Sequence, residues 1–263
     1  MSAFTLKIIA LAAMLIDHIA AVFPYHFSFG FRVVGRMTFP IFVYLLAEGF
    51  RHTRSQTKYL LRLLAFALIS EPFFDWSINR AHNIAAGYSS WHVNLLNDTN
   101  IFYTLLLGGM AIVAYEWINK IILQQYFEAP TPGERFAAAV ISATPVIGFM
   151  SIADILSTDF GSYGVMFILI VYIVKQPKWM MLTVFATMNI LQHRGLFPFI
   201  WADILRGYIT LDIWLYLLIP TTILTVPLIA LYNGKRGPGF KWLFYAAYPA
   251  HLAVLAGAAW VIY

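Results

Sequence analysis

The chain has 263 residues, 61% of them hydrophobic and 17% aromatic, with 11% charged and a formal net charge of +5. An average soluble domain is about 25% charged, so this composition excludes a chain that covers itself in water. The absence of cysteine excludes disulfides, thiolate nucleophiles and thiolate metal sites.

Apolar runs near the roughly 20-residue bilayer-spanning length recur from end to end. They predict spans near 4–23, 34–50, 59–76, 101–121, 136–156, 161–174, 179–193, 213–232 and 241–262. A tenth candidate, "LFPFIWADILRGYI" (196–209), is short and carries Asp203 and Arg206. The fold class is therefore all-α, a polytopic helical bundle of nine or ten spans forming one domain over 1–263, without repeats or low-complexity tracts. With the N-terminus cytoplasmic and nine full spans, twelve of the 17 Lys and Arg residues fall inside, as the positive-inside rule requires. The positive charge is thus a feature of topology, and no nucleic-acid partner is expected.

In the first span, "LKIIALAAMLIDHIAAVF", an acid and an imidazole lie deep in an apolar run. A charged side chain at a membrane helix centre costs about 2.5–3.5 kcal/mol on insertion scales, so such residues default to a functional hypothesis. Lys7 and His18 are eleven residues apart, which returns to within about 20° of one helix face and separates them by roughly 16 Å. Asp17 points about 100° away from His18 and is free to pair with a neighbouring helix. The structural alternative is a His bonded to a backbone carbonyl and a Lys that snorkels to the interface.

The segment "GRMTFPIFVYLLAEGFRHTRSQTKYLLR" (35–62) places Arg36 near the outer end of the second span and Glu48 near its inner end. Arg51, His52, Arg54, Lys58 and Arg62 follow within twelve residues. As a topology determinant such a cluster touches anionic lipid; as a binding site it suits polyphosphate, through Arg forks and a Lys point charge. No Gly-rich phosphate loop accompanies it. In "LISEPFFDW", Glu71 and Asp75 stand at i and i+4 on one face, where they repel unless a cation such as Arg36 or Arg80 intervenes. Asp154 is a lone acid in the fifth span.

Near the C-terminus, "LYNGKRGPGFKWLFYAAYPAHLAVL" combines a tight basic turn containing Lys235 and Arg236 with Tyr248 and His251, three residues apart on one helix face. The other histidines lie near span ends and loops without an HExxH or HxxxH pair, so no metal site is expected.

These stretches, together with "NIFYTLLLG" and "GSYGV", resemble the TraX family over nearly the whole chain and in the family's order. The activity associated with that family is N-terminal acetylation of conjugative pilin. The family is distantly similar to membrane-bound acyltransferases of cell-surface polysaccharides, whose first helix carries a basic residue, ten others, then His. Here that pattern falls on Lys7 and His18. The resemblance implies a multi-pass protein of the bacterial cytoplasmic membrane. It would transfer acetyl from cytoplasmic acetyl-CoA to a hydroxyl or amine at the outer face, on an envelope glycan or a pilin-like N-terminus. His18 would be general base, with Asp17, Glu48, Glu71 and His251 as further catalytic candidates. Lys7, Arg36, Arg51, His52, Arg54, Lys58, Lys235 and Arg236 would hold the donor. Two other classes compete: a secondary transporter with an acid and His relay, though no inverted repeat is present, and a structural assembly factor for surface appendages.

Overall fold

The computed structural model describes residues 1–23, 29–81, 98–175, 178–192 and 224–262. The tenth-span candidate at 196–209 and most of the 213–232 span lie outside the described residues. The described residues are mainly helical, with no strand among them beyond one isolated bridge between Thr99 and Thr158. In order the helices are α1 (Ala3–Val22), α2 (Phe29–Gly35), α3 (Thr38–His52), α4 (Gln56–Phe74), α5 (Ile101–Tyr126), α6 (Pro132–Ala143), α7 (Val146–Ile155), α8 (Gly161–Ile173), α9 (Lys178–Gln192), α10 (Thr225–Ala230) and α11 (Lys241–Ile262).

Among the described residues, five helical stretches are long and apolar enough to cross a membrane: Ala3–Val22, Gly30–His52, Ile101–Tyr126, Pro132–Ile155 and Trp242–Val261. Two of these are interrupted, and the interruptions have local causes. The 34–50 expectation becomes α2 and α3, separated by a turn at Arg36–Met37 whose amides bond Val33 and Val34 at three-residue spacing. The 136–156 expectation becomes α6 and α7, broken at Thr144–Pro145, where proline supplies no N–H. α4 runs on past Pro72 into a π-helical turn, Asp75–Asn79, where the Ser77 hydroxyl donates to the Phe73 carbonyl at 2.6 Å. α8 is apolar but only 13 residues long.

The chain divides into two compact units, with two of the four divisions falling inside α3 and α4. In the unit made of 1–45, 69–94 and 174–263, α1 packs on α2 and α11, and the π turn packs on α1 and α11. The buried face of α1 is Leu6, Ala10, Ala13 and Met14, a helical stripe with two alanines that let a neighbour approach closely. Its N-terminus is capped twice. Ser2 accepts from the Thr5 amide, and the turn after α10 offers the Lys235 and Arg236 carbonyls to the Ala3 and Phe4 amides at 2.9 and 3.1 Å. Gly237 makes that turn possible: its φ is +74°, and a Cβ there would stand 2.8 Å from Phe4 Cβ and Ser2 Oγ.

In the unit made of 46–68 and 95–173, α5 is the central helix, flanked by α6, α7 and α8. Gly108 lets Ile168 of α8 lie against its backbone. Asn100, fully buried, caps α5 by accepting from the Phe102 amide at 3.0 Å and donates to the Ala67 carbonyl at 2.9 Å. Asp154 serves α8 in the same way, its Oδ1 accepting from the Ser162 amide at 2.7 Å.

Among the described glycines the tightest contact is at Gly35, where an added Cβ would fall 2.1 Å from the Asp17 Cβ. Gly35→Ala should therefore destabilise the protein by the roughly 1–3 kcal/mol of an overpacked contact. Gly133→Ala, where a Cβ meets nothing within 4 Å, should leave the unfolding temperature in detergent unchanged or slightly raised; an equal fall in both would contradict the packing.

Candidate functional site

The centre of the first unit is a pair of histidines from the first and last helices. His18 Nδ1 and His251 Nε2 are 2.6 Å apart, and the rings stack at 4.9 Å with 21° between planes. Tyr248, buried one turn before His251, sets its ring edge-on against both imidazoles, at 6.0 Å from His18 and 5.4 Å from His251. His251 Nδ1 lies 2.8 Å from the Ala247 carbonyl in its own helix.

That last contact orders the protons. A carbonyl only accepts, so His251 Nδ1–H donates to Ala247, and the neutral ring presents Nε2 as an acceptor. His18 Nδ1–H then donates to His251 Nε2, which leaves His18 Nε2 with a free lone pair. One backbone carbonyl thus sets, through His251, the tautomer of a residue 233 positions from that histidine. The arrangement orients an imidazole as a proton acceptor.

Two arginines surround this centre. Arg32 of α2 forms an ion pair with Asp17 at 3.1 Å and donates to the Asp17 carbonyl at 3.3 Å. Gly35 rests on the Asp17 side chain, so the next residue, Arg36, is carried to the same end of α1, where both guanidiniums lie within electrostatic reach of His18. Asp17 is thus turned toward α2 and Arg32, one step around the helix from the imidazole. Arg36, grouped in sequence with the donor-binding cations, stands at the His18 end and not at the Lys7 end.

The other end of α1 is also basic. Lys7 Nζ lies over the Phe244 ring at 5.3 Å, with Arg236 in electrostatic reach and the Lys235–Arg236 backbone capping the helix. Lys7 and His18 therefore both meet α11, at Phe244 and at Tyr248–His251, about 16 Å apart along α1. Glu71, 4% exposed, lies in the buried end of α4.

The remaining candidates belong to the second unit. Both terminal nitrogens of Arg51 are engaged. It binds Glu48 at 2.5 Å, donates to the Val171 and Tyr172 carbonyls at 2.6 and 2.7 Å, and lies 5.3 Å from the Tyr172 ring centre. It closes the C-terminus of α8, whose last carbonyls have no helical partner. Tyr172 also donates to Glu116, which accepts in addition from Gln56. His52 bonds the Glu48 carbonyl at 2.8 Å through Nδ1, and its ring is exposed, as are Arg54 and Lys58. Among the described residues no group of three or more His, Asp and Glu could hold a metal ion.

Arg32 and Tyr248 were not among the site residues expected from sequence. Tyr248 had a signal, its i, i+3 spacing from His251. Arg32 had none, because its partnership with Asp17 depends on how α2 folds back onto α1.

Fold and site define an all-helical membrane protein with a paired-histidine centre joining its first and last helices. A family model described as TraX protein matches residues 2–259, and the chain belongs to that family. It is 30% identical, over 98% of its own length and 95% of the relative's, to the "Probable fimbrial assembly protein FimC, serogroup H1" of Dichelobacter nodosus. No solved structure matches the chain.

The contacts of Arg51 predict a structural phenotype. Arg51→Ala should leave Glu48 without its cation and α8 without its cap, costing the about 3–5 kcal/mol typical of breaking a buried pair. Arg54→Ala and Lys58→Ala should leave the unfolding temperature unchanged. Comparable stability of all three variants in a thermal melt would show that Arg51 is not a structural cap.

Proposed function

We propose that the protein is a membrane-embedded acetyltransferase with His18 as general base and acetyl-CoA as donor. The observation that carries this is the ordered chain Ala247 carbonyl, His251, His18, which ends in an unprotonated Nε2. In the transfer, Nε2 takes the proton from an acceptor O–H or N–H as that atom attacks the thioester carbonyl. The tetrahedral adduct collapses, the carbon–sulfur bond breaks, and the coenzyme A thiolate recovers the proton from the imidazolium. The products are the acetylated acceptor and coenzyme A. His251 is a positioning residue throughout: its Nε2 accepts from His18 Nδ1–H, and it changes no proton of its own.

Lys7, Lys235 and Arg236, gathered at the start of α1, are the first candidates for the donor's phosphates. The pantetheine arm would run along α1 toward His18. His52, Arg54 and Lys58 are the second candidates. We place the N-terminus in the cytoplasm and nine spans in the inner membrane, so that the donor enters from the cytoplasm and the acceptor from outside. An envelope glycan and a pilin-like N-terminus both fit the acceptor role.

A second reading is favoured by the relative's printed name: a structural assembly factor for fimbriae, in which the histidine pair only joins two helices. Ligand binding separates the two, because anything that binds the folded state selectively stabilises it. Acetyl-CoA should raise the unfolding temperature and free acetate should not.

His18→Ala should keep that stabilisation and lose transfer by about 10²–10⁴-fold. His251→Ala should lose less, since it frees the tautomer without removing the base. Acetyl-CoA without effect on stability, or normal turnover in folded His18→Ala, would remove the enzymatic reading.

A further inference from the structure

Positive charge in the first unit collects at one end, away from the acids. Residues 1–16, 174–192 and 224–263 hold Lys7, Lys175, Lys178, Lys235, Arg236 and Lys241 and contain neither Asp nor Glu. The described acids of this unit are Asp17, Glu71 and Asp75. Asp17 is ten residues from Lys7, roughly 15 Å along α1, and pairs with Arg32. Glu71 and Asp75 belong to the segment that leads to Arg80, whose guanidinium lies 5.0 Å from the Trp260 ring at the far end of α11.

Direct contacts join the basic residues into one surface. The Lys178 ammonium, at the start of α9, donates to the Ala230 carbonyl at 2.6 Å and the Tyr232 carbonyl at 3.5 Å. The Asn233 amide donates to the Met1 carbonyl at 2.9 Å, and the Lys235 and Arg236 carbonyls cap α1. Phe4 of α1 then meets Phe240 and Phe244, at 6.1 and 5.6 Å between ring centres. One turn thus joins the starts of α1, α9 and α11. Lys175, Lys178, Lys235 and Arg236 are all exposed, and among the described residues no carboxylate pairs with them.

Large aromatics stand beside these cations and face outward. Trp179 follows Lys178 and is 68% exposed; Trp242 follows Lys241 and is 58% exposed. Exposed tryptophans of membrane helices sit at headgroup depth, where lipid phosphates lie, and so place the neighbouring cation there too. The Lys178 ammonium has three N–H donors and gives two to carbonyls, so one remains on a group whose place is fixed. Charge alone would serve a soluble polyphosphate equally well. The outward ring beside Lys178 favours a lipid.

We propose that this face binds anionic phospholipid, with the headgroup phosphate on Lys178 and the Trp179 ring beside the acyl chains. The proposal goes beyond the acetyl-transfer reading, whose donor site draws on Lys7, Lys235 and Arg236 and not on Lys178. Because the turn held by Lys178 also caps α1, lipid bound there stabilises the packing of α1 against α11.

The test follows that stabilisation. The full chain is reconstituted in nanodiscs of phosphatidylcholine and in discs with increasing phosphatidylglycerol, and its unfolding temperature is measured. Phosphatidylglycerol should raise it. Lys178→Gln, whose amide still donates to a carbonyl, should need roughly fivefold more anionic lipid for the same rise, the share of one basic residue at a charged membrane surface. Lys178→Arg should restore the response, and Trp179→Ala should weaken it. His18→Ala should respond as the wild type does, so failure of the acetyl-transfer reading and failure of this one are distinguishable. Pyrophosphate added to phosphatidylcholine discs tests the soluble source of phosphate and should give no comparable rise. No response to phosphatidylglycerol, an undiminished response in Lys178→Gln or Trp179→Ala, or an equal rise with pyrophosphate overturns the proposal.

Discussion

The hydrogen bond between His18 and His251 depends on register: two helices at opposite ends of the chain must meet at the right height. The turn that precedes α11 sets this register. Its carbonyls bond the first amides of α1, which aligns the two N-termini, so that the helices run side by side in the same direction. From there the contacts follow in order, Phe4 with Phe240 and Phe244, Lys7 with Phe244, then His18 with Tyr248 and His251. A helix whose first four amides lack partners is a weak anchor. Capping it with the backbone of the segment leading into α11 turns that weakness into alignment.

Much of this was legible in the amino-acid sequence, but unequally. Apolar runs located the helices, because burial in a bilayer leaves few other ways to satisfy a backbone. The eleven-residue spacing placed Lys7 and His18 on one face, and both do face α11. Local rules could not reach further. Pro72 marks trouble in α4, yet the π turn that follows was not visible as such. Asp154, read as a lone acid with an open role, caps α8 from eight residues away. The pairing of His18 with His251 spans nearly the whole chain, and no periodicity encodes a contact of that separation.

The charged residues sort by whether their compensation is local. Arg51 has a carboxylate three residues before it, and it closes a helix end as well; its charge is consumed by structure. In a sequence it is indistinguishable from Arg54, which lies exposed three positions later. Arg32 is compensated across helices by Asp17. Charge clusters near membrane helices therefore overstate the number of binding residues, since an apolar surrounding makes an uncompensated ion costly and draws in any acid or carbonyl nearby.

That sorting also explains why the two ends of α1 differ in kind. At the Lys7 end the cations are near exposed turn residues, where water and a flexible stem moderate their repulsion. At the His18 end Gly35 rests on the Asp17 side chain, whose carboxylate pairs with Arg32. An exposed basic rim suits a large polyphosphate that must enter and leave. The difference arises from one glycine contact and one ion pair, both of which depend on the short α2 folding back along α1.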